Sequence, residues 1–358
     1  MDLAALKRTH LSQLCDHTRT LYAHPELRRL FFELTQRCNE RCYHCGSSCT
    51  ATAPAELPTA KWHSLIDEVA RDFDTSRMML CVTGGEPLLH PDFFEIMAHA
   101  RDAGLAWGMT SNATLITPHV ARRLARVGMR TISVSIDGLE QTHDWLRRTP
   151  GGFRRAMAGI ENLLEVGAFS AVQVTTVVNH ETISELDDLF RVLDELDIDS
   201  WRVIGLEPIG RARAHPELLL TDDDWRRLLG YIRAMRLAGH PLEFGCSHYL
   251  GLELEAEVRE WYWLCNAGVY TASVTSTGDV CACLDIERRP ETVQGSVLED
   301  RLRDIWEGRF ELFRRDLSEL SATCAGCEHA PFCRGDAHHS FDYDEGRPML
   351  CMRHVLFD

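Results

Sequence analysis

The 358-residue sequence has no long apolar run and no excess of positive charge. Lys and Arg number 38 against 54 Asp and Glu, which gives a formal net charge of −16 and argues against binding to nucleic acid or anionic lipid by bulk electrostatics. Nowhere do about 18 uncharged apolar residues follow one another, and residues 1–20 contain no apolar stretch of signal-peptide length. The sequence therefore predicts a cytoplasmic protein with no nucleic-acid partner and no membrane partner.

Cysteine is absent from the long stretch between Cys81 and Cys246, although the chain contains 14 cysteines. Disulfides are rare in a reducing compartment, where clustered thiols usually bind metal or perform redox chemistry. Four of the cysteines crowd one early segment and eight lie in the last third of the chain: Cys38, Cys42, Cys45, Cys49; Cys246, Cys265, Cys281, Cys283, Cys324, Cys327, Cys333, Cys351. This distribution predicts two separate metal regions.

Between the two cysteine regions, short β-leaning apolar runs alternate with helical patterns, which is typical of repeated βα units and a parallel sheet. The predicted strands are 30–35, 78–83, 106–111, 131–136, 171–178 and 201–206. The predicted helices are 60–73, 92–103, 118–127, 153–166 and 183–196. The predicted fold class is α/β, a partial (β/α)6 parallel barrel whose working face is the end where strands pass into helices.

The ends of the chain differ from this repeat. Residues 1–28 have a helical pattern, and a further helix at 222–237 closes the repeat. Beyond it come short segments, cysteines and turn residues, which indicate a small domain organised by metal rather than by a large apolar core. The predicted domains are 1–28 (N-terminal helical segment), 29–240 (barrel) and 241–358 (cysteine-rich iron-sulfur domain).

The first cysteine cluster has the spacing Cys38-x3-Cys42-x2-Cys45 at a junction between a strand and a loop. Three thiolates from one loop can ligate three irons of a cubane and leave the fourth iron open, unlike a four-cysteine electron-transfer cluster. An open iron can bind a substrate or a cofactor. The alternative is a zinc site or a set of buried thiols, with Cys49 as the best additional ligand.

This spacing after a first strand resembles the radical S-adenosylmethionine enzymes, and later motifs follow in that family's order over residues 30–210. Gly84-Gly85-Glu86-Pro87 ends the second strand, and the resemblance implies that its backbone and carboxylate meet the ammonium group of S-adenosylmethionine. Ser111-Asn112, after the third strand, would bind the ribose. Ser135 and Arg147 would hold the cofactor carboxylate. His44 departs from the family pattern, which usually has an aromatic residue there.

The resemblance also implies the chemistry of the first site. A reduced 4Fe-4S cluster passes one electron to the bound sulfonium, the carbon-sulfur bond breaks homolytically, and the adenosyl radical takes a hydrogen atom from the substrate. The cluster and cofactor supply this chemistry, whereas the protein orients the radical and excludes water. A flavodoxin or ferredoxin is the expected electron donor.

The last cysteines resemble the SPASM auxiliary-cluster domain of peptide-modifying members of the family. Cys324-x2-Cys327-x5-Cys333 and Cys351 resemble its second half, and a closed set of four thiolates suits structure or electron transfer. Its first half would include Cys265 and Cys283. Ala337 occupies a usual ligand position, so Cys281, Cys246, His338 or His339 would replace that ligand, or the first auxiliary cluster would have an open iron or be absent. One or two auxiliary clusters are therefore expected, with zinc as the alternative.

The leading functional hypothesis is hydrogen abstraction from a ribosomally made precursor peptide, leading to crosslinking, epimerisation or dehydrogenation. The alternatives are a small-molecule substrate such as a tetrapyrrole or aminoglycoside, and an iron-sulfur electron carrier or scaffold, which would need no cofactor pocket. Epimerisation would require a thiol hydrogen donor, for which Cys246 and Cys281 are the candidates. Glu207, after the sixth strand, is a candidate base or binding group.

Overall fold

The computed structural model describes residues 3–245, 248–260 and 262–357. Cys246, a predicted hydrogen donor and alternative ligand, lies outside the described residues. In the part of the chain that is described, no helix combines the length and the apolar character needed to cross a membrane.

Six parallel strands in sequential order form the centre of the molecule. Their side chains alternate between the two faces; in the fifth strand every second residue from Val172 to Val178 is buried because successive side chains of a strand point to opposite faces. The predicted six-stranded α/β barrel is confirmed. Its strands are β1 (Arg29–Glu33), β2 (Met79–Thr83), β3 (Ala106–Ser111), β4 (Met129–Ser135), β5 (Ala171–Val178) and β6 (Ser200–Gly205).

Helices connect these strands, and several begin where the sequence offers a cap. Thr117 accepts a hydrogen bond from Val120 N ahead of Pro118, and Thr221 forms a capping box with Asp224 because hydroxyl side chains satisfy the free N–H groups of a first turn. The helices are α1 (Leu3–Ala23), α2 (Thr59–Asp72), α3 (Phe93–Asp102), α4 (Pro118–Arg126), α5 (Glu140–Leu146), α6 (Gly152–Val166), α7 (Leu186–Asp194) and α8 (Asp222–Leu237).

Both edges of the six-stranded sheet are covered by strands from the last third of the chain. β7 (Leu242–Phe244) pairs in parallel with β6, and β8 (Thr271–Val274) pairs in parallel with β1. β9 (Asp279–Cys281) and β10 (Val293–Ser296) extend the same sheet by antiparallel pairing. The C-terminal segment is therefore continuous with the barrel sheet, and neither β1 nor β6 offers a free edge to an incoming chain.

The C-terminal segment also shares the apolar core of the barrel. Val274, Ile305, Trp306 and Phe313 are buried in the same cluster as the barrel strands. Apolar burial therefore also helps to organise this segment, because short strands can contribute side chains to a core formed mainly elsewhere. The remaining elements are α9 (Gly251–Val258), α10 (Leu302–Gly308), α11 (Ala330–Cys333), β11 (Phe341–Asp342), β12 (Arg347–Pro348) and α12 (Met352–Leu356).

Candidate functional site

A cavity of about 310 Å³ lies at the ends of the barrel strands, where the C-terminal segment meets them. The three cysteines of the predicted radical loop and residues from five strand ends line it, together with side chains from beyond the barrel. Its lining includes Cys38, Cys42, Cys45, Glu40, His44, Gly84, Gly85, Ser111, Asn112, Ser135, Arg147, Glu207, Arg211, Asp285 and His339. This is the working face that parallel βα units present.

The cysteine loop is fixed by backbone hydrogen bonds to a distant arginine. Arg211, which follows β6, donates from Nε to Cys42 O at 2.7 Å and from Nη1 to Cys49 O at 2.6 Å. The loop closes on itself where Cys38 N donates to Thr50 O at 2.7 Å. The sequence did not predict Arg211 as a site residue, because only the fold brings it to a loop that lies 162 residues earlier in the chain.

The thiols of this loop have unequal environments. Burial raises the pKa of Cys38 to about 11. The Cys49 thiol donates a hydrogen bond to Cys45, and with nearby Arg211 it lowers the pKa of Cys45 to about 5 in spite of burial. Thiolates are the ligands of iron-sulfur clusters, so three cysteines facing one cavity form a suitable donor set for a cluster with an open iron. Cys49 lies beside Cys45 as a hydrogen-bond donor.

The glycine pair of the GGEP segment packs directly against the start of the cysteine loop. Gly85 N donates to Thr35 O at 2.7 Å, and Glu86 N donates to Arg37 O at 2.8 Å. A Cβ atom on Gly85 would lie 2.9 Å from Cys38 Cβ and closer still to the Arg37 carbonyl. Only glycine permits this approach, and the contact places the backbone of both segments at the wall of the cavity.

The Glu86 carboxylate points into the protein. Both of its oxygens accept from Ser111 Oγ, at 3.0 and 2.9 Å, and one accepts from Asn112 N at 3.0 Å. Burial raises the pKa of Glu86 to about 7 despite these hydrogen bonds. Glu86 therefore connects the ends of β2 and β3, and it does not line the cavity in which its carboxylate was expected to meet the cofactor ammonium.

Arg147 lines the cavity but already pairs with two carboxylates. Its Nη1 donates to Glu40 Oε2, and its Nε and Nη2 both contact Asp137 Oδ2, each at 2.7 Å. Burial alone would raise the pKa of Asp137, but Arg147 and His44 hold it below its usual range. The guanidinium that was predicted to bind the cofactor carboxylate is thus fixed within a buried charge network.

Glu40 Oε1 and His44 Nδ1 are buried at the wall of this cavity and have no hydrogen-bond partner among the described residues. Buried polar groups are almost always paired, so these atoms indicate a polar ligand in the cavity. Together with the thiol set and the glycine cradle, they fit an iron-sulfur cluster with a polar, charged cofactor beside it. Ser135 and Asn112 supply further polar side chains to the same wall.

The four C-terminal cysteines lie close enough to influence one another. Burial raises the pKa of Cys324, Cys333 and Cys351, and the neighbouring thiols of the set, which include Cys327, raise it further. Among the described residues, no group of three His, Cys, Asp or Glu side chains is arranged to hold a single metal ion. The structure brings the four thiols together as one set.

The two candidate histidines for the missing ligand at Ala337 have other partners. His338 Nδ1 lies 2.7 Å from the Tyr343 hydroxyl, and burial lowers the pKa of His338 to about 3. His339 Nε2 lies 3.0 Å from Glu207 Oε1. Cys281 is buried in β9 and is not part of the cavity lining, whereas Glu207 is.

The cavity combines a three-cysteine loop, a glycine cradle and unpaired polar atoms at the ends of parallel strands, an arrangement that defines an iron-sulfur enzyme with a bound cofactor. The Radical SAM superfamily model matches residues 32–193, and the SPASM model, described as an iron-sulfur cluster-binding domain, matches residues 265–328. The chain belongs to the radical SAM superfamily and carries a SPASM domain. S-adenosylmethionine and 4Fe-4S clusters are its cofactors.

Relatives of more than one activity match most of the chain. An AdoMet-dependent heme synthase of Methanosarcina barkeri is 33% identical over 91% of this chain and 97% of its own length. The mycofactocin maturase MftC of Mycolicibacterium smegmatis is 31% identical over 86% of this chain and 76% of its own length.

Solved structures of low sequence identity share the fold. Streptococcus suis SuiB bound to S-adenosylmethionine superimposes with a TM-score of 0.68 at 18% identity, over 87% of this chain and 73% of SuiB. The native anSMEcpe structure with bound AdoMet gives a TM-score of 0.71 at 17% identity, over 90% of this chain and 91% of that one.

Proposed function

We propose that this radical SAM enzyme abstracts a hydrogen atom from a peptide that binds between the strand ends of the barrel and the C-terminal segment. Bound at the reduced cluster of Cys38, Cys42 and Cys45, S-adenosylmethionine supplies the 5'-deoxyadenosyl radical. The chain's own residues position that cofactor: the Gly84-Gly85 backbone, Ser111, Asn112 and Ser135 form the wall against which it would lie.

The observation that carries the peptide assignment is a second chamber of about 300 Å³ that adjoins the first. Both chambers are lined by Gly46, Ile209, Asp285 and His339, so they meet along one wall. The two chambers lie side by side, and the second, the outer chamber, is lined mainly by residues of the C-terminal segment. An extended peptide suits this shape because one side chain can reach the radical while its neighbours occupy the outer chamber.

The charges of the outer chamber also favour a peptide over a tetrapyrrole with several carboxylates. Its three arginines are paired with acidic groups: Arg213 contacts Glu287 at 2.9 Å, Arg289 contacts Glu287 at 2.8 Å, and Arg288 pairs with the buried Glu33. Asp285 and Glu207 add two acidic side chains toward the inner chamber. A polyanion would have to displace these pairs, whereas a neutral or basic peptide would not.

The second candidate is a tetrapyrrole substrate, favoured by the heme synthase of Methanosarcina barkeri, which matches 97% of its own length at 33% identity. That substrate class predicts that the outer arginines exchange their acidic partners for substrate carboxylates. Replacement of Glu287 by Gln would then strengthen binding, because it frees Arg213 and removes one acidic partner of Arg289, which keeps Asp344 at 2.7 Å. For a neutral or basic peptide the same replacement would weaken binding or leave it unchanged.

The experiment supplies the anaerobically reconstituted enzyme, with dithionite and S-adenosylmethionine, with peptides encoded next to its gene and, separately, with a tetrapyrrole that has propionate side chains. We expect a peptide product, two mass units lighter after crosslinking or dehydrogenation, or one unit heavier after epimerisation in deuterated water. The Cys38→Ala, Cys42→Ala, Cys45→Ala triple variant is the control. Conversion of the tetrapyrrole with no mass change in any peptide would refute the peptide assignment.

Dehydrogenation or crosslinking is the part of this proposal that the described residues support better than epimerisation. Epimerisation needs a thiol facing the substrate, and Cys281 is buried outside the cavity lining. Cys246 stays a candidate donor outside the described residues. A flavodoxin or ferredoxin in the cytoplasm would supply the reducing electron, because the free thiols call for a reducing compartment.

A further inference from the structure

A row of four acidic and imidazole side chains runs from the cavity wall into the protein, and it begins with Glu207 and His339. Glu207 lies two residues beyond β6, and His339 lies in a short turn, His338–Ser340, of the C-terminal segment. His339 Nε2 is 3.0 Å from Glu207 Oε1. Both side chains line the cavity and are about nine-tenths buried, so the pair faces a bound substrate with little competing water.

Behind this pair, a second imidazole and a second carboxylate continue the row. His248 is fully buried, and its Nε2 lies 3.6 Å from Glu207 Oε1. Its Nδ1 lies 2.6 Å from Asp336 Oδ2, while Tyr249 N donates to Asp336 Oδ1 at 3.2 Å. Asp336 thus fixes the tautomer and orientation of His248, whose other nitrogen is directed at Glu207.

The backbone is strained at both members of the inner pair. His248 has φ 57° and Asp336 has φ 73°, and Arg334, close to Asp336, has φ 56°. Non-glycine residues pay roughly 1–3 kcal/mol each to adopt this left-handed conformation. Gly335 between them leaves no room for a side chain, since its Cβ would lie 2.5 Å from the Leu317 carbonyl carbon. The fold maintains this strain where it aims Asp336 at His248.

We propose that Glu207 and His339 act as the proton-accepting pair for the substrate, and that His248 and Asp336 are positioning residues behind them. This proposal rests on the proposed dehydrogenating function. The substrate is a group H–C–X–H, in which X is nitrogen, oxygen or sulfur. The adenosyl radical takes the hydrogen atom of the C–H bond. The X–H bond then gives its proton to the Glu207–His339 pair.

An oxidised iron-sulfur cluster held by the C-terminal thiol set would accept the remaining electron of the carbon radical as the C=X bond forms. One hydrogen atom, one proton and one electron leave the substrate, which equals the loss of two hydrogens. Asp336 N donates to Cys333 O at 3.1 Å, so the row of side chains leads toward the C-terminal thiol set. Proton and electron would therefore leave the substrate on the same side of the cavity.

The groups that face Glu207 come from several elements. His339 and His248 lie on either side of it, and Asp285, which follows β9, faces the pair from the cavity. The ring of Trp225 from α8 packs edge-on to His248 at 5.4 Å, and Arg259 Nη2 donates to His248 O at 2.9 Å. The row contains two imidazoles and two carboxyl groups, so it can accept a proton without creating an uncompensated buried charge.

The test uses the Glu207→Gln and His339→Gln variants of the full, cluster-loaded enzyme. General base catalysis typically contributes about 100-fold or more, so we expect product formation to fall by at least that factor. Cleavage of S-adenosylmethionine to 5'-deoxyadenosine should stay within about threefold of wild type, because the pair acts after hydrogen abstraction. His248→Gln should lower product formation by about tenfold through misplacement of the pair.

A second measurement reports on the pair without turnover. The rate at which diethyl pyrocarbonate modifies His339 is followed by mass spectrometry from pH 5 to 9, because only the neutral imidazole reacts. The carboxylate of Glu207 stabilises the protonated ring, so Glu207→Gln should move the midpoint of this profile to lower pH. The matched control is His180→Gln, which removes an exposed imidazole 2.7 Å from Asp224, and it should change neither the profile nor the product yield.

Two results would overturn the proposal. One is a Glu207→Gln variant that keeps the wild-type ratio of product to 5'-deoxyadenosine. The other is loss of 5'-deoxyadenosine together with product, which would mean that the row supports the cofactor site. Failure of the peptide assignment alone would give a different result. The wild-type enzyme would then convert no peptide, but Glu207→Gln would still shift the pH midpoint of His339 modification.

Discussion

The two cysteine regions of this chain are built in different ways. The loop that contains Cys38 and Cys42 is held by strand ends, by an arginine bonded to its carbonyls and by a glycine pair packed on its backbone. The C-terminal set lies among short helices and turns, with Arg334 and Asp336 in the left-handed conformation directly after Cys333. One set faces a cavity, and the other extends a shared core.

The unpaired polar atoms show what this difference means. Glu40 Oε1 and His44 Nδ1 are buried at the cavity wall without a partner, as expected of a site that exchanges a ligand. Near the C-terminal cysteines, the carboxylate of Asp336 is instead satisfied by His248 and Tyr249. The first region thus presents buried polar atoms to a ligand, whereas Asp336 beside the second set is paired within the protein.

The largest expected effect separates the two regions by function. The Cys38→Ala, Cys42→Ala, Cys45→Ala variant should form no 5'-deoxyadenosine, because the open iron is lost. The Cys324→Ala, Cys327→Ala variant should still cleave S-adenosylmethionine but make little product. Chromatography of the dithionite-reduced reactions measures both. If the triple variant still yields 5'-deoxyadenosine, the assignment of the first loop is wrong.

The iron content of the protein tests whether each of the two cysteine sets binds its own cluster. Anaerobically reconstituted protein should hold about eight or more iron atoms, four for each cubane. Each of the two cysteine variants should lose about four of them. Metal analysis gives the count directly. About four irons or fewer in the wild-type chain, or stoichiometric zinc in freshly isolated anaerobic protein, would reject the two-cluster assignment.

The Gly85→Ala substitution should disturb the first cysteine loop and leave the C-terminal cysteines unaffected. The new Cβ would collide with the Arg37 backbone, and overpacking of this kind costs about 1–3 kcal/mol of unfolding free energy. Iron at the first site should fall while the C-terminal iron stays. The control is Gly230→Ala in α8, where no atom lies within 4 Å, and it should stabilise the helix by about 0.5–1 kcal/mol. Equal iron contents in the two variants would contradict the close contact.

The last expected effect concerns the pH dependence of the contribution of Glu86 to stability. Its folded-state pKa is raised by burial from 4.5 to about 7, so its contribution to stability is fully present below pH 4.5 and is lost as the pH rises through about 7. A shift of this size corresponds to about 3 kcal/mol.

Glu86→Gln should remove this dependence. The unfolding free energy of the wild type, measured by urea titration relative to the variant, should fall as the pH rises from about 4.5 to 7. Exposed Glu165 provides the control, since Glu165→Gln should leave the slope of stability against pH unchanged. A wild-type slope equal to that of Glu86→Gln would show that Glu86 is not buried as a neutral acid.

The local elements of the barrel could be predicted because each has its own periodic signal. β3, β5 and α8 have the predicted boundaries, and the other strands agree within two residues at each end. The strands β7 to β10 were missed because three or four residues carry too little pattern to identify a strand. The short helix α5 was missed for the same reason.

Other parts of the site could not be predicted because they depend on residues far apart in the chain. Arg147 pairs with Glu40, 107 residues earlier, and Arg211 reaches the cysteine loop across 162 or more residues. The GGEP motif identified Glu86 but not the direction of its carboxylate, which is set by the Ser111 hydroxyl on the neighbouring strand. Spacing identifies residue types, whereas pairing depends on the assembled sheet.

The sequence by itself determined the parallel barrel, the cysteine set for an open iron and the order of the cofactor motifs, because hydrophobic period and ligand spacing are local properties. Only the tertiary structure decided which carboxylates form buried ion pairs and which buried polar atoms are left for a ligand to bind. It also brought Glu207, His339, His248 and Asp336 together in one row. These outcomes depend on burial and distance, and both arise only when segments remote in the chain pack against one another.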